Sequence, residues 1–469
     1  MDMTRGKPWR LITAFAIPVL LSQVFQQLYN TADALIVGRF LGDEALAAVS
    51  SSGTLIFLII SFFTGMSMGA SVTISRYFGA GDYARVSRAI HTNVLLAILC
   101  GIVLTVFGVA LTPTFLRWMG TDPDVLPEAI SYFRYYFFGI LAVVMYNTCK
   151  GIMNALGDSR RPLYYLMFSS ALNVALDLLF ILSFGWGVAG AAIATVLAQL
   201  LSTIACFIYA FAHYPQLRLS RQDFALTRSD ICQHIIQGIP LGLQFSVLAI
   251  GIIIMQSVVV QFDMVDGLLV SSAAQNGYGA ANKLFCLIST PLNALGVSMT
   301  SFTAQNLGAG DYKRIRQGTL QALIMLLIVG VLSATIGLLL SIDGLYLRVF
   351  LSADKVTPET IRYGNTLVYV DFGLFLLVGF IYIIRNCIQG IERPQYVLCA
   401  GAGELIARIT VCLLLPAAVA GGKVDANARP LAFYALCAAD PAAWIASDLV
   451  LCIPFFRHIL RQDYRYLIK

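Results

Sequence analysis

Residues 78–88 read Phe-Gly-Ala-Gly-Asp-Tyr-Ala-Arg-Val-Ser-Arg, and residues 307–317, 229 positions later, read Leu-Gly-Ala-Gly-Asp-Tyr-Lys-Arg-Ile-Arg-Gln. Two shorter similarities occur in the same order: Ile17-Pro18 with Ile239-Pro240, and Arg-Pro-Leu-Tyr at 161–164 with Arg-Pro-Gln-Tyr at 393–396. Three similarities at a nearly constant offset indicate an internal duplication. The Gly-Ala-Gly-Asp segment lacks the Gly-Lys-Ser/Thr of a nucleotide-binding loop, so we interpret it as a tight turn.

The composition around these repeats is that of a membrane protein. Of the 469 residues, 58% are hydrophobic and 12% are charged, whereas soluble domains carry roughly 25% charged residues. We predict an all-α polytopic membrane protein whose apolar runs form about twelve spans of at least ~20 residues. The predicted spans are 11–37, 46–73, 94–116, 132–156, 163–184, 188–212, 235–262, 268–304, 319–342, 366–388, 396–420 and 431–456. The first run is too long for a signal peptide, so we expect the mature protein to retain it.

Basic residues predict the orientation of these spans. Most Lys and Arg residues lie at the termini and in the even-numbered loops, which places both termini in the cytoplasm. The net charge of +6 therefore reflects membrane topology, and we expect no nucleic-acid partner. Each half then enters from the same side, which predicts two parallel six-helix bundles related by a pseudo-two-fold axis along the membrane normal. The predicted lobes are 1–212 and 233–469, joined by a cytoplasmic linker at 213–232.

The first half carries acidic residues inside its spans without nearby bases. Four polar residues recur at i, i+3, i+4 and i+7, and so share one face of the first span: Gln26, Tyr29, Asn30 and Asp33. Asn173 and Asp177 are i,i+4 on the fifth span. Two carboxylates in one pocket cannot both be ionised cheaply, so we predict a proton or Na⁺ coupling site. Pro18, about four turns before Asp33, is a candidate hinge.

The second half differs at the matching positions. Met255 replaces Asp33, while Glu404 and Arg408 replace Asn173 and Asp177. An i,i+4 acid–base pair can be purely structural or can serve a substrate, and both interpretations stay open here. Lys283 and Arg385 are alternative partners for Glu404. Three further acids lie within spans and are weaker candidates for a cavity-facing role: Asp371, Asp440 and Asp448.

Together these features resemble the multidrug and toxic compound extrusion (MATE) family across nearly the whole chain. The resemblance includes residues 155–162, Ala-Leu-Gly-Asp-Ser-Arg-Arg-Pro, and residues 187–195, Gly-Val-Ala-Gly-Ala-Ala-Ile-Ala-Thr. The chain looks most like the DinF-like branch of bacteria and archaea. That likeness implies a V-shaped twelve-helix antiporter, acting as a monomer in a prokaryotic plasma membrane. It would export amphipathic organic cations in exchange for H⁺ or Na⁺, with no other cofactor.

The resemblance also implies roles for particular residues. The branch's cation site corresponds to Asp33, Asn173, Asp177 and Thr195, and this is the one place where we expect a metal ion, Na⁺. The cavity lining corresponds to Gln26, Tyr29 and Asn147, and the hinge proline to Pro18. The other prokaryotic branch has a Glu on the seventh helix, where this chain has only Gln244, Gln256 and Gln261. That difference argues against a Na⁺ site in the second lobe, although Asp371 keeps it open.

Other functions fit the sequence less well. A lipid-linked oligosaccharide flippase of the same superfamily needs a cationic cavity, and basic residues are few inside the spans. An enzyme is not expected, because the metalloprotease pattern His-Glu-x-x-His does not occur. A channel is disfavoured, because duplicated bundles with an acid site in one lobe favour a carrier.

Overall fold

A computed structural model describes residues 1–118, 123–215 and 227–462, with only the backbone given for 43–58 and 118. Part of the predicted linker, including Arg218 and Arg221, lies outside the described residues, as do Arg465 and Lys469. The predicted lobe boundaries stay a prediction.

The first half of the chain forms seven α-helices. They are α1 (Pro8–Leu41), α2 (Asp43–Gly79), α3 (Tyr83–Trp118), α4 (Leu126–Phe138), α5 (Ile140–Ala155), α6 (Arg160–Leu178) and α7 (Gly187–His213). A short π-helix, Leu179–Ser183, follows α6. Between α2 and α3 the Gly-Ala-Gly-Asp segment forms the predicted turn, and Gly81 takes a φ of 72° that few other residues adopt.

The second half forms nine α-helices in its described part. They are α8 (Arg228–Gln261), α9 (Ala273–Gly308), α10 (Tyr312–Leu340), α11 (Leu347–Phe350), α12 (Pro358–Gly373), α13 (Phe375–Gly390), α14 (Pro394–Ala420), α15 (Pro430–Cys437) and α16 (Ala439–Pro454). A two-stranded antiparallel hairpin, β1 (Met264–Val265) and β2 (Leu268–Leu269), connects α8 to α9. A second π-helix, Phe455–Leu460, follows α16.

These elements confirm the all-α polytopic prediction. Among the fully described residues, nine helices are long and apolar enough to span a membrane, and two bent helix pairs raise the number to eleven. The backbone of α2 adds a helix of 37 residues, about 55 Å long at ~1.5 Å per residue, which exceeds the bilayer core. The small hairpin corrects one prediction, because 268–269 is a strand and the span begins only at Ala273.

Two of the predicted spans, 132–156 and 366–388, are bent. α4 and α5 meet at Gly139 with an angle of 48°, and α12 and α13 meet after Gly373 with an angle of 54°. A Cβ on Gly139 would collide with the side chain of Val196 on α7, whereas a Cβ on Gly373 would have no atom within 4 Å. Close approach of a neighbouring helix therefore requires glycine at the first bend only.

The chain divides into two compact units. The N-terminal unit comprises residues 1–6, 14–242 and 304–311, and the C-terminal unit comprises residues 7–13, 243–303 and 312–469. A core of buried apolar and aromatic side chains packs α4, α5 and α7 in the N-terminal unit, with Phe133 and Phe137 stacked at 4.7 Å between ring centroids. In the C-terminal unit, Phe285 stacks on Trp444 at 5.7 Å. Each core positions polar side chains from several helices.

Candidate functional site

Pro18 interrupts the hydrogen bonding of α1 about four turns before Asp33. It lies inside the helix and has no N–H to donate to the preceding turn. The hydroxyl of Ser22 donates to the Pro18 carbonyl oxygen at 2.8 Å, so this oxygen accepts a hydrogen bond from a side chain. α1 is therefore weakened at the position where the sequence predicts a hinge.

Asp33 of α1 and Asp177 of α6 meet in the N-terminal unit. A side-chain hydrogen bond links the two residues, and Asp177 is fully buried. Two ionised carboxylates repel each other at this separation, so the contact is favourable only with a proton or a cation between them. The Oδ1 atom of each residue is buried and accepts no hydrogen bond within the described part of the chain. The pair can thus take up a proton or a small cation.

Asn173 and Thr195 complete a polar cluster around Asp177. In the amide orientation that satisfies its neighbours, Asn173 donates from Nδ2 to Asp177 Oδ2 at 2.9 Å and accepts from the Thr195 N–H at 3.2 Å. In the opposite orientation, Nδ2 lies 3.3 Å from Thr195 Oγ1. The i,i+4 spacing of Asn173 and Asp177 therefore does place both on one face, as predicted.

Tyrosine side chains surround the acids. Tyr29 hydrogen-bonds to the Thr195 side chain and lies close enough to Asp33 and Asp177 to interact electrostatically with both. Tyr132 and Tyr136 of α4 are buried, stack at 6.3 Å between ring centroids, and face Asp33 in the same way. Sequence reasoning missed these two residues, although their i,i+4 spacing was a usable signal.

The remaining predicted lining residues lie farther from the acids. Gln26 donates to the Asn30 side chain at 3.3 Å, and Asn30 is exposed. Asn147 donates to the carbonyl of Val143 in its own helix at 3.0 Å. The structure gives none of these three a direct contact with Asp33 or Asp177. Their predicted role in lining a cavity stays a prediction.

No basic group neutralises this cluster within the described residues. Neither Asp33 nor Asp177 has a Lys or Arg within ion-pair distance, and their electrostatic neighbours are each other and the tyrosines. Arg134 lies on α4 between Tyr132 and Tyr136, but its side chain is exposed on the other side of the helix. The site is therefore acidic and polar, which suits a cationic occupant.

The C-terminal unit contains a buried ion-pair network at the matching helix. Glu404 of α14 accepts from Arg385 Nη2 at 2.6 Å and lies 3.6 Å from Arg408 Nη2. Arg408 also pairs with Asp440 of α16 at 2.8 Å, and Arg385 donates to the Ser447 hydroxyl at 2.9 Å. All four charged side chains are at least 84% buried. Glu404 and Arg408 are thus parts of a neutralising network.

Three secondary candidates lie around this network. Asp371 is buried on α12 and interacts electrostatically with Asp440 and Arg408, while Asp448 faces Arg385 and Glu404. Lys283 is exposed on α9 and is not among the ion-pair partners of Glu404, so its predicted pairing is wrong. Arg385 is the partner that the structure supplies, because α13 packs beside α14.

Comparison with known sequences identifies the family. The sequence pattern of the MatE family matches residues 18–179 and 249–414, one match in each half of the chain. The chain belongs to the MatE family. The two matches also agree with the internal duplication, since each begins at or near the proline-containing helix that opens its half.

Individual relatives align with most of the length of this MatE chain. The Bacillus subtilis (strain 168) protein named "Probable multidrug resistance protein YoeA" is 29% identical over 386 residues, which is 81% of each chain. A Shewanella oneidensis protein named "FAD transporter" is 24% identical over 428 residues, covering 89% of this chain and 88% of the relative. Members of the family are transporters, so this MatE protein is a transporter of small molecules and not an enzyme.

The fold matches solved MATE transporters. A crystal structure of a MATE protein in the bent conformation superposes with a TM-score of 0.84 and 22% identity, over 97% of this chain and 96% of the other. The likeness extends across both halves. This MatE chain is therefore a multi-pass membrane protein with the helical architecture of that family.

Proposed function

We propose that this MatE transporter exports amphipathic organic cations in exchange for H⁺ or Na⁺, and that Asp33 and Asp177 bind the coupling ion. The observation that carries the proposal is the hydrogen-bonded pair of carboxyl groups with no base beside it. A site of this kind changes its net charge whenever a proton or Na⁺ binds or leaves. That change is what coupling to an ion gradient requires.

The exchange follows from competition for the same negative charge. Without a bound ion, the two carboxyl groups favour a cationic substrate in the N-terminal unit. When H⁺ or Na⁺ binds at Asp33, Asp177, Asn173 and Thr195, the attraction for that substrate falls. The ion therefore shifts the population of states by its differential affinity for them, and the substrate is released. Pro18 gives α1 a point at which to bend during this change.

Several further features of the proposal rest on the family and on charge. The protein acts as a monomer in the plasma membrane of a prokaryote, with both termini in the cytoplasm. Its relative YoeA is named a multidrug resistance protein, which supports organic compounds as the substrate class. Gln26, Tyr29, Asn30 and Asn147 line the path of the substrate in the N-terminal unit.

A lipid-linked oligosaccharide flippase is the other candidate, and the charges disfavour it. A carrier of pyrophosphate needs basic side chains that are available to the ligand. Arg385 and Arg408 are the buried arginines of the C-terminal unit's network, and each is occupied by a carboxylate.

The test is gradient-driven export from proteoliposomes. A fluorescent organic cation is followed under an imposed pH gradient or Na⁺ gradient, with wild type, Asp33→Asn and Asp266→Asn. Asp266 is exposed in the β1–β2 connection, so its substitution controls for the loss of a carboxylate elsewhere. We expect one gradient to drive export in wild type and Asp266→Asn, and neither gradient to drive it in Asp33→Asn.

FAD serves as a second probe in the same vesicles, because the Shewanella relative is named for its transport. Gradient-driven movement of FAD without movement of the organic cation would overturn the proposed substrate class. Equal export by Asp33→Asn and wild type would overturn the proposed coupling site.

A further inference from the structure

A cavity of about 600 Å³ lies in the N-terminal unit, away from the acid pair. It is formed by the last turn of α2, the first turns of α3 and the first turns of α8, next to the Gly-Ala-Gly-Asp turn. Its polar lining includes Arg76, Arg85, Arg88, Gln233, His234 and Gln237. The volume is within the usual range for small-molecule sites, roughly 300–1,000 Å³.

The cavity is basic. Its lining contains three arginines and one acid, Asp230, and the Asp230 carboxylate accepts a hydrogen bond from the Thr227 hydroxyl at 2.6 Å. Arg85 also pairs with Asp82 of the adjoining turn at 3.2 Å. Shifted by the 229-residue offset of the repeat, Arg76 and Arg88 correspond to Gln305 and Gln317. Two of the three arginines are thus absent from the matching positions of the second repeat. The duplicated turn can therefore form without them.

Hydrogen bonds hold the walls of the cavity in place. The Tyr77 hydroxyl on α2 donates to Gln233 Oε1 on α8 at 2.9 Å. The His234 ring lies 3.1 Å from the Ala89 carbonyl oxygen on α3 through Nε2. The guanidinium group of Arg85 stacks over the Tyr77 ring at 5.7 Å. Three helices are therefore tied together around the space, which favours a preformed site.

The cavity also offers an acceptor and an apolar wall. Gln237 is 95% buried, lines the cavity, and has an Oε1 atom without a hydrogen-bond donor in the described chain. Ile236, which also lines it, is 58% exposed, and Ile239 lies one turn farther along α8 with 40% exposure. The lining thus passes from guanidinium groups to an apolar helix face that continues along the span.

We propose that this cavity binds the headgroup of an anionic glycerophospholipid. The arginines pair with the phosphodiester, and Ile236 and Ile239 contact the start of an acyl chain. Gln237 Oε1 is itself buried, so its side chain turns toward the cavity to accept a hydrogen bond from a hydroxyl of the headgroup. The apolar face favours a lipid over a free phosphate, since a free ion would not use it. The many basic residues at this end of the spans match the attraction of such loops to anionic lipids.

The experiment counts phosphatidylglycerol bound to the purified full-length protein by native mass spectrometry in detergent. Arg76→Gln with Arg88→Gln introduces the residues of the second repeat. The matched control is Lys313→Gln with Arg316→Gln, which removes two exposed charges from the corresponding turn of that repeat. We expect about a thirtyfold loss of affinity in the first double variant and none in the control, since each basic group contributes about fivefold near an anionic headgroup.

Two further measurements test the proposal even if the arginine variant folds poorly. Gln237→Leu is expected to remove any preference for phosphatidylglycerol over phosphatidic acid, whose headgroup lacks the glycerol hydroxyls. Inorganic phosphate in millimolar excess is expected to leave the bound lipid in place. Unchanged lipid binding in the double variant and in Gln237→Leu would overturn the proposal, and displacement by inorganic phosphate would reassign the cavity to a free phosphate. Transport is not measured, so the outcome is independent of the proposed antiport.

Discussion

The acid pair on α1 and α6 and the ion-pair network on α13, α14 and α16 have one pair of corresponding helices in common, α6 in the first half and α14 in the second. In the N-terminal unit, Asp33 and Asp177 face each other with amide, hydroxyl and phenol groups around them. In the C-terminal unit, Arg385 and Arg408 neutralise Glu404 and Asp440. The same scaffold therefore supports opposite electrostatics: one cluster has two acids without a basic partner among the described residues, and the other holds its charges in pairs.

The strongest test of this difference between the two units is to remove one acid from each of them. We expect Asp177→Asn to abolish gradient-driven export, because the remaining carboxyl group no longer shares a proton or cation. Asp371→Asn should retain coupled export, because Asp371 lies beside Arg408 and Asp440 and a neutral amide leaves their pair intact. Export from proteoliposomes under the effective gradient measures both. Loss of coupling in Asp371→Asn alone would place the coupling site in the C-terminal unit.

We expect the ion-pair network to affect stability, in contrast to the role in transport that we propose for the acid pair. Arg385→Met leaves the buried carboxylate of Glu404 without its 2.6 Å partner, and we expect a cost of about 3–5 kcal/mol. Arg385→Met combined with Glu404→Leu should recover much of that loss, because no unpaired charge remains. Thermal unfolding of the detergent-solubilised variants, monitored by size-exclusion chromatography, measures both effects. A double variant no more stable than Arg385→Met would show that the pair is not the stabilising unit.

The two bends provide a smaller test of how far the halves are alike. Gly139→Ala brings a Cβ against Val196, and we expect a destabilisation of about 1–3 kcal/mol. Gly373→Ala meets no atom within 4 Å and should change stability by less than about 0.5 kcal/mol. Val196→Ala in the Gly139→Ala background should restore only part of the stability, because the Cβ of residue 196 still lies 2.7 Å from the added methyl group. Thermal unfolding again measures the effect. Equal effects of the two glycine substitutions would contradict the packing argument.

The sequence predicted the features that depend on residue spacing within a helix and on the offset between the two repeats. The duplication, the helical class, and the shared faces of Asn173 with Asp177 and of Tyr29 with Asp33 all follow from local spacing. The bends at Gly139 and after Gly373 could not be read from hydropathy, because an apolar run continues across each of them. The position of Tyr132 and Tyr136 beside Asp33, and the choice of Arg385 over Lys283 for Glu404, depend on how helices pack. Spacing along one helix carries no information on that.

The bends have a consequence for the history of the chain. Each falls in the fourth span of its half, between α4 and α5 in one and between α12 and α13 in the other. A kink in the fourth span of both copies is the result expected if the half-length ancestor already had it before duplication and fusion. The acids and the arginines differ between the copies and so diverged afterwards. A reconstructed ancestral half should therefore contain the kink. At the positions of the acids and arginines, the two copies share no common residue to reconstruct.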